Sequence, residues 1–161
     1  MKKMKKMKKK NKDKKKWSTK FFQILIRVWN CWSLSNERFH YCESLDYDIL
    51  ELTELHNMQS KELLKGRRLV CSATAALDEK GHNTDPALGV AIMLSPRMTD
   101  KVIGEGHVGT RIVWVRLTGP MSNMFYVVVY VPHKKRTQKP LAEDTIAQLK
   151  KLLQTVENPI A

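Results

Sequence analysis

The sequence is poor in the residues that mark several large classes of protein. It has three cysteines, Cys31, Cys42 and Cys71, and no Cys-x-x-Cys pair. An odd count at such spacing supports neither a disulfide framework nor a structural zinc site, and reduced, buried thiols are the ordinary alternative. Seven glycines and six prolines in 161 residues exclude collagen-like and glycine-rich material. There is no His-Glu-x-x-His, no zinc-deaminase signature, no Gly-x-Ser-x-Gly elbow and no glycine-rich phosphate loop. The apolar stretch 21–29 is interrupted by Gln23 and Arg27 and is far shorter than the ~20 residues that cross a bilayer. A secretory leader would need a cleaner apolar run and a small-residue cleavage site. The expectation is an intracellular protein with no membrane partner.

What is abundant is lysine, and it is concentrated. Residues 1–20 hold 12 lysines against the single acid Asp13, so they carry +11 of the net +13. The other 141 residues are close to neutral. Like charges at this density repel and the segment has almost nothing to bury, so 1–20 reads as a disordered tail. Such a run can bind phosphates or act as a nuclear import signal; equally, it can be a solvated extension with no further role. The remainder, 21–161, has the length and apolar content of one domain, with 42% hydrophobic residues over the whole chain.

Within that body the hydrophobic period changes repeatedly. Residues 21–29 read as a strand with both faces largely apolar, as in a strand buried between layers. Ser35 is a helix N-cap, and Leu34 with Phe39 forms a hydrophobic staple across it. The helix is expected to end near Asp46. A second strand spans 48–54 (DILELTE), a short one 69–73, and a fully buried one 88–94 (LGVAIML). The ALDEKGHNTDP segment, 76–86, has turn chemistry throughout. The stretch 111–117 (RIVWVRL) alternates, 119–123 (GPMSN) is a hairpin turn, and 125–131 (FYVVVYV) is the strongest strand. Pro140 opens a final helix whose stripe is Ala142, Thr145, Ile146, Leu149, Leu152, Leu153 and Val156. The order implies a mixed α/β or α+β layered domain.

Polar residues collect at three strand ends. Asn30 follows the first, Glu54 and His56 end the second, and Tyr130 and His133 end the last. Glu54 is the most informative, since a carboxylate closing an apolar strand is costly without a partner. A hard cation such as Mg²⁺ would suit it; a solvent-exposed strand-end glutamate is the simpler alternative. Asn30 fits a turn, Tyr130 a satisfied core phenol, and His133 opens the basic HKKR loop, 133–136, which suits either solvent or phosphate.

Together these blocks resemble the endonuclease/exonuclease/phosphatase family, the DNase I-like fold, most closely in the flavour of retroelement endonuclease domains associated with reverse transcriptases. The segment 28–34 (VWNCWSL) is similar to the family's opening Trp-Asn strand. The segment 47–56 (YDILELTELH) is similar to the strand that carries its metal-binding glutamate. The segments 88–97 (LGVAIMLSPR), 111–117 and 125–133 (FYVVVYVPH) follow in the family's order. The resemblance covers about 21–156. It implies a four-layer β-sandwich flanked by helices and metal-dependent phosphodiester hydrolysis on nucleic acid, DNA more than RNA, with Mg²⁺ or Mn²⁺. By position it implies that Glu54 and Asn30 hold the metal and that Tyr130 contacts the phosphate. By the same resemblance His133 takes the position of a polar residue that lines the cleft in that family.

Two departures are small: Trp32 stands where some members have aspartate, and Thr53 where many have glutamine. A third is larger. The family's Gly-Asp-x-Asn and Ser-Asp-His segments, which activate water and stabilise the pentavalent phosphate, have no counterpart in these residues. The expectation is therefore the N-terminal portion of a nuclease-type domain, a partial, truncated sandwich with uncovered apolar surface and little activity alone. Its missing half would come from another chain. The alternatives are a non-catalytic basic nucleic-acid binder and a degenerate retroelement remnant. Deleting 1–16 is expected to weaken duplex-DNA binding and to flatten its salt dependence by about 0.9 in log K per log salt for each lysine that meets a phosphate. Anisotropy titrations over a range of salt concentrations check this, and an unchanged affinity removes the tail from binding.

Overall fold

The computed structural model describes residues 23–31, 34–55, 61–62, 66–72, 89–120, 122–132 and 139–157. The expected lysine tail, the 76–86 turn segment, His56 and the whole His133–Arg136 loop lie outside them. The described residues form a mixed α+β structure of two sheets and three helices.

The first sheet has five strands in the order β1-β2-β5-β4-β3: β1 (Ile26–Asn30), β2 (Ile49–Thr53), β3 (Lys61–Glu62), β4 (Arg68–Cys71) and β5 (Val90–Leu94). β1 and β2 run parallel, joined by α1 (Asn36–Ser44), and the other pairings are antiparallel. The Ser35 side chain accepts from the Arg38 N–H, as its cap role requires. Successive residues of a strand point to opposite faces, and β5 shows the consequence: all five of its residues are buried. Ala91 and Met93 pack with Leu50, Leu52, Leu69 and Cys71 around Cys42 of α1, with Phe39 against the same cluster. Val90, Ile92 and Leu94 point the other way, into the space between the sheets.

The second sheet is an antiparallel meander of β6 (Val102–Val108), β7 (Ile112–Leu117) and β8 (Met124–Val129). Val113, Val115, Leu117 and Val128 meet the inner face of the first sheet. The outer face carries Trp114 against Phe125, ring centroids 5.3 Å apart. Helix α3 (Lys139–Glu157) lies by this face, and Leu152, Thr155 and Val156 share a cleft with Trp114 and Phe125. The short α2 (Pro96–Thr99) follows β5 and buries Met98 between the sheets.

β6 was not apparent from the sequence pattern. Its Gly104 and Gly106 break the apolar alternation, but they make room for Trp114 on the paired strand: a Cβ on Gly106 would lie 2.8 Å from the indole. The opening strand also differs from expectation. It begins at Ile26, and it is an exposed edge rather than a strand buried between layers. Register places Ile26 and Val28 beside Ile49 and Glu51, on the face turned toward the second sheet. That sheet has three strands against five and does not reach β1, so Val28 stays 68% exposed. Of the α3 stripe, Ala142 and Thr145 are buried while Ile146 and Leu153 are partly exposed.

A polar clasp closes one end. Arg97 grips the Asp48 carboxylate with both nitrogens, at 3.0 and 2.5 Å, and the Leu25 N–H donates to the same group at 2.8 Å. Burial pushes the Asp48 pKa up, but the bonds from Arg97 and Leu25 and the guanidinium charge outweigh it and hold the carboxyl below its usual range. A depressed folded-state pKa contributes stability above the unfolded carboxylate value, and that contribution is lost as pH falls through the folded value. Asp48→Asn is expected to cost about 1–2 kcal/mol at neutral pH, Arg97 being half exposed. The difference from wild type should shrink as pH drops through the acidic range, measured by denaturant unfolding.

Candidate functional site

The site forms where the carboxyl end of β2 meets the end of β8. The strand spanning Ile49–Thr53 stops one residue before Glu54, which adopts φ 61°. Left-handed backbone is uncommon for a residue with a side chain and costs of order 1 kcal/mol. Hydrogen bonds on both flanks hold it. The Cys31 N–H and thiol donate to the Thr53 carbonyl at 3.1 and 2.9 Å. The Leu55 N–H donates to the Gly89 carbonyl at 3.1 Å, and the Leu55 carbonyl accepts from Leu34 at 3.4 Å. Leu55 is thereby buried in the α1 core, while the turn at Glu54 leaves its carboxylate half-buried at the rim.

Tyr130 reaches the same point from the other sheet. Its N–H donates to the Arg111 carbonyl at 2.9 Å, which extends the β7–β8 pairing by one step. Its phenol lies close enough to the Glu54 carboxylate to feel its charge. Burial raises the phenol pKa, the charge and hydrogen bond of Glu54 raise it further, and the nearby Arg111 guanidinium opposes them. The net effect keeps Tyr130 a neutral hydrogen-bond donor at physiological pH. Asn30 is the register partner of Thr53 at the end of β1 and is exposed on the rim, one residue from Glu54 along β2's course. Of the four residues expected from sequence, Asn30, Glu54 and Tyr130 thus lie at one corner, with Glu54 and Tyr130 electrostatically coupled. His133 lies outside the described residues.

Arg111 was missed as a site residue. Burial lowers its pKa, while Tyr130 and then Asp144 of α3 raise it, so a half-buried guanidinium is coupled to a phenol and a carboxylate. A signal for it existed: a hairpin closed at 119–123 carries residue 111 back opposite residue 130. Glu51 was also overlooked. It shares the inner face of β2 with Ile49, and it accepts a hydrogen bond from the Tyr126 hydroxyl across the gap between the sheets. That bond and burial together raise the Tyr126 pKa, burial most.

Cys31 and Cys42 are poorly poised as nucleophiles. Burial pushes the Cys31 thiol up to about 11 and Cys42 to about 12, so neither is a thiolate at neutral pH. Among the described residues no three His, Cys, Asp or Glu side chains gather as a metal cluster. One carboxylate with an amide oxygen nearby is a hard, oxygen-only donor set, too sparse for zinc. It does suit Mg²⁺ or Mn²⁺, which Mg²⁺ sites illustrate by taking one or two carboxylates and keeping waters. No protein-family model matches the chain, and no curated protein matches it either.

The strained backbone separates the carboxylate's role from that of the fold. Glu54→Gly is expected to be more stable than Glu54→Ala by about 1 kcal/mol, because glycine accepts positive φ without strain. Both variants lose the Tyr130 partner. Paired denaturant unfolding curves check this; equal stability of the two would place Glu54 in ordinary backbone space.

Proposed function

We propose that this chain is a portion of a DNase I-like, metal-dependent phosphodiester hydrolase domain of the retroelement endonuclease type, acting on nucleic acid. The observation that carries the reading is the electrostatic coupling of Glu54 and Tyr130 at the ends of strands from two face-to-face sheets, with Asn30 one register step away and the Arg111 guanidinium coupled to Tyr130. Support also comes from the helices outside both sheets and from the lysine-rich segment, which suits a polyanionic substrate.

Hydrolysis of a phosphodiester requires charge neutralisation at phosphorus, an oriented phosphate and an activated water. Glu54 and Asn30 would hold a divalent cation, which supplies Lewis-acid polarisation of the phosphate when bound. Tyr130, kept protonated, would turn its single O–H from the Glu54 side toward a phosphate oxygen once substrate is bound. Arg111 adds positive charge from the β7 side. Asn30 orients the phosphate through its amide. Activation of water is the step for which this sequence offers no Gly-Asp-x-Asn or Ser-Asp-His residues. These 161 residues alone are therefore assigned binding and orientation with little turnover.

The second reading, a non-catalytic nucleic-acid binder, draws on the lysine run together with the basic HKKR stretch, 133–136. A plasmid-nicking assay in Mg²⁺ and Mn²⁺ separates the two. Trace nicking, lost in Glu54→Ala while DNA affinity is unchanged, is the expected result. Nicking that persists in purified Glu54→Ala would overturn the site assignment, and robust nicking that depends on Glu54 would overturn the low-turnover expectation.

A further inference from the structure

The two halves of the candidate site belong to different sheets. β2 and β8 share no backbone ladder, since β2 pairs only with β1 and β5, and β8 only with β7. No main-chain hydrogen bond between these strands therefore sets the distance from Glu54 to Tyr130. The apolar side chains between the sheets hold them together, but hydrophobic packing is non-directional and tolerates sliding. A directional contact between β2 and β8 does exist one step back from the site. The Tyr126 hydroxyl donates to the Glu51 carboxylate. Glu51 lies three residues before Glu54, and Tyr126 four residues before Tyr130. Both pairs thus advance in the same sense along their strands, and the inner pair sits where a small slide would carry the outer pair out of reach.

The location of the inner pair sharpens its importance. On the β1 side the second sheet ends at β8, and the register neighbour of Glu51 on β1 is the exposed Val28. Among the described residues this border has an exposed side chain beside Glu51, where the opposite border has an ion pair. There Arg68 of β4 and Glu105 of β6 form a two-point ion pair at 2.6 and 2.7 Å. We infer that the Glu51–Tyr126 hydrogen bond is a positioning strut that fixes the register of β8 over β2, and so holds the Tyr130 phenol on the Glu54 carboxylate.

Glu51 and Tyr126 act through the outer pair and do not touch substrate. The inference rests on the reading of Glu54 as the cation-holding carboxylate, and the test keeps the two separable. Mn²⁺ binding to the full chain, followed by electron paramagnetic resonance, is measured in wild type, Glu54→Gln, Tyr126→Phe, Glu51→Ala and Glu51→Gln. Glu54→Gln should lose binding. Tyr126→Phe and Glu51→Ala break the strut from opposite sides and should each weaken it by about tenfold, as loss of a supporting hydrogen bond around a metal ligand does. Glu51→Gln keeps an acceptor oxygen for the phenol and should stay within about twofold of wild type, a rescue that a generic loss of packing would not show. In the metal-free chain the Tyr130 ring resonances should move in Tyr126→Phe and Glu51→Ala but not in Glu51→Gln, provided each variant keeps a cooperative unfolding transition. Should either strut-breaking variant fail to fold, the other with Glu51→Gln decides the matter. Undiminished Mn²⁺ affinity in Glu54→Gln overturns the site reading and this inference with it. Loss in Glu54→Gln with wild-type affinity and unmoved Tyr130 resonances in the strut variants overturns the strut alone.

Discussion

The site depends on contact between two sheets that exchange no hydrogen bonds through their main chains at β2 and β8. Within a sheet, register is set by ladder geometry and by which face must be buried. Between sheets it is set by side chains alone. Ile49, Val90, Ile92 and Leu94 meet Val113, Val115, Leu117 and Val128 across the gap, and this packing supplies cohesion. Polar contacts supply alignment. Arg68 with Glu105 and Glu51 with Tyr126 tie the two borders of the sandwich, and the chemistry proposed at Glu54 and Tyr130 inherits whatever alignment they impose.

The second constraint is local. A glutamate in left-handed backbone is an unfavourable choice wherever glycine or asparagine would serve. Here the chain must do two things in consecutive residues: leave the β2 ladder and bury Leu55 beneath α1. The turn at Glu54 accomplishes both and points the carboxylate at the rim. Cys31 is part of the device, since its amide and thiol both hold the Thr53 carbonyl. A buried thiol of high pKa suits that task, being a hydrogen-bond donor that does not ionise.

Much of this was legible from residue pattern. Continuous apolar character marked β5 as central, turn chemistry at 119–123 paired β7 with β8, and Ser35 with Leu34 and Phe39 announced α1. The strand-end positions of Asn30, Glu54 and Tyr130 followed from where apolar alternation stopped. Other features depend on partners distant in sequence. β6 owes its existence to Trp114 filling the space over Gly104 and Gly106, which no local pattern reveals. The exposure of β1 follows from the width of a sheet made of residues that come 70 and more positions later. Arg111 read as the start of a strand because its relation to Tyr130 exists only once the hairpin closes. The φ of Glu54 reflects restraints from Cys31, Leu34 and Gly89 together, and these meet only in the folded chain.

The overhang of β1 has a bearing on how the chain behaves in solution. Among the described residues β1 is a sheet border with Ile26 and Val28 exposed, a template on which another strand can add. Mutual repulsion from a net charge of +13 keeps copies apart at low ionic strength. Added electrolyte shortens the reach of that repulsion to about 10 Å near 0.1 M. Under the proposed reading, the salt that would strip a polyanion from the lysine run also removes the colloidal barrier to edge-on self-association.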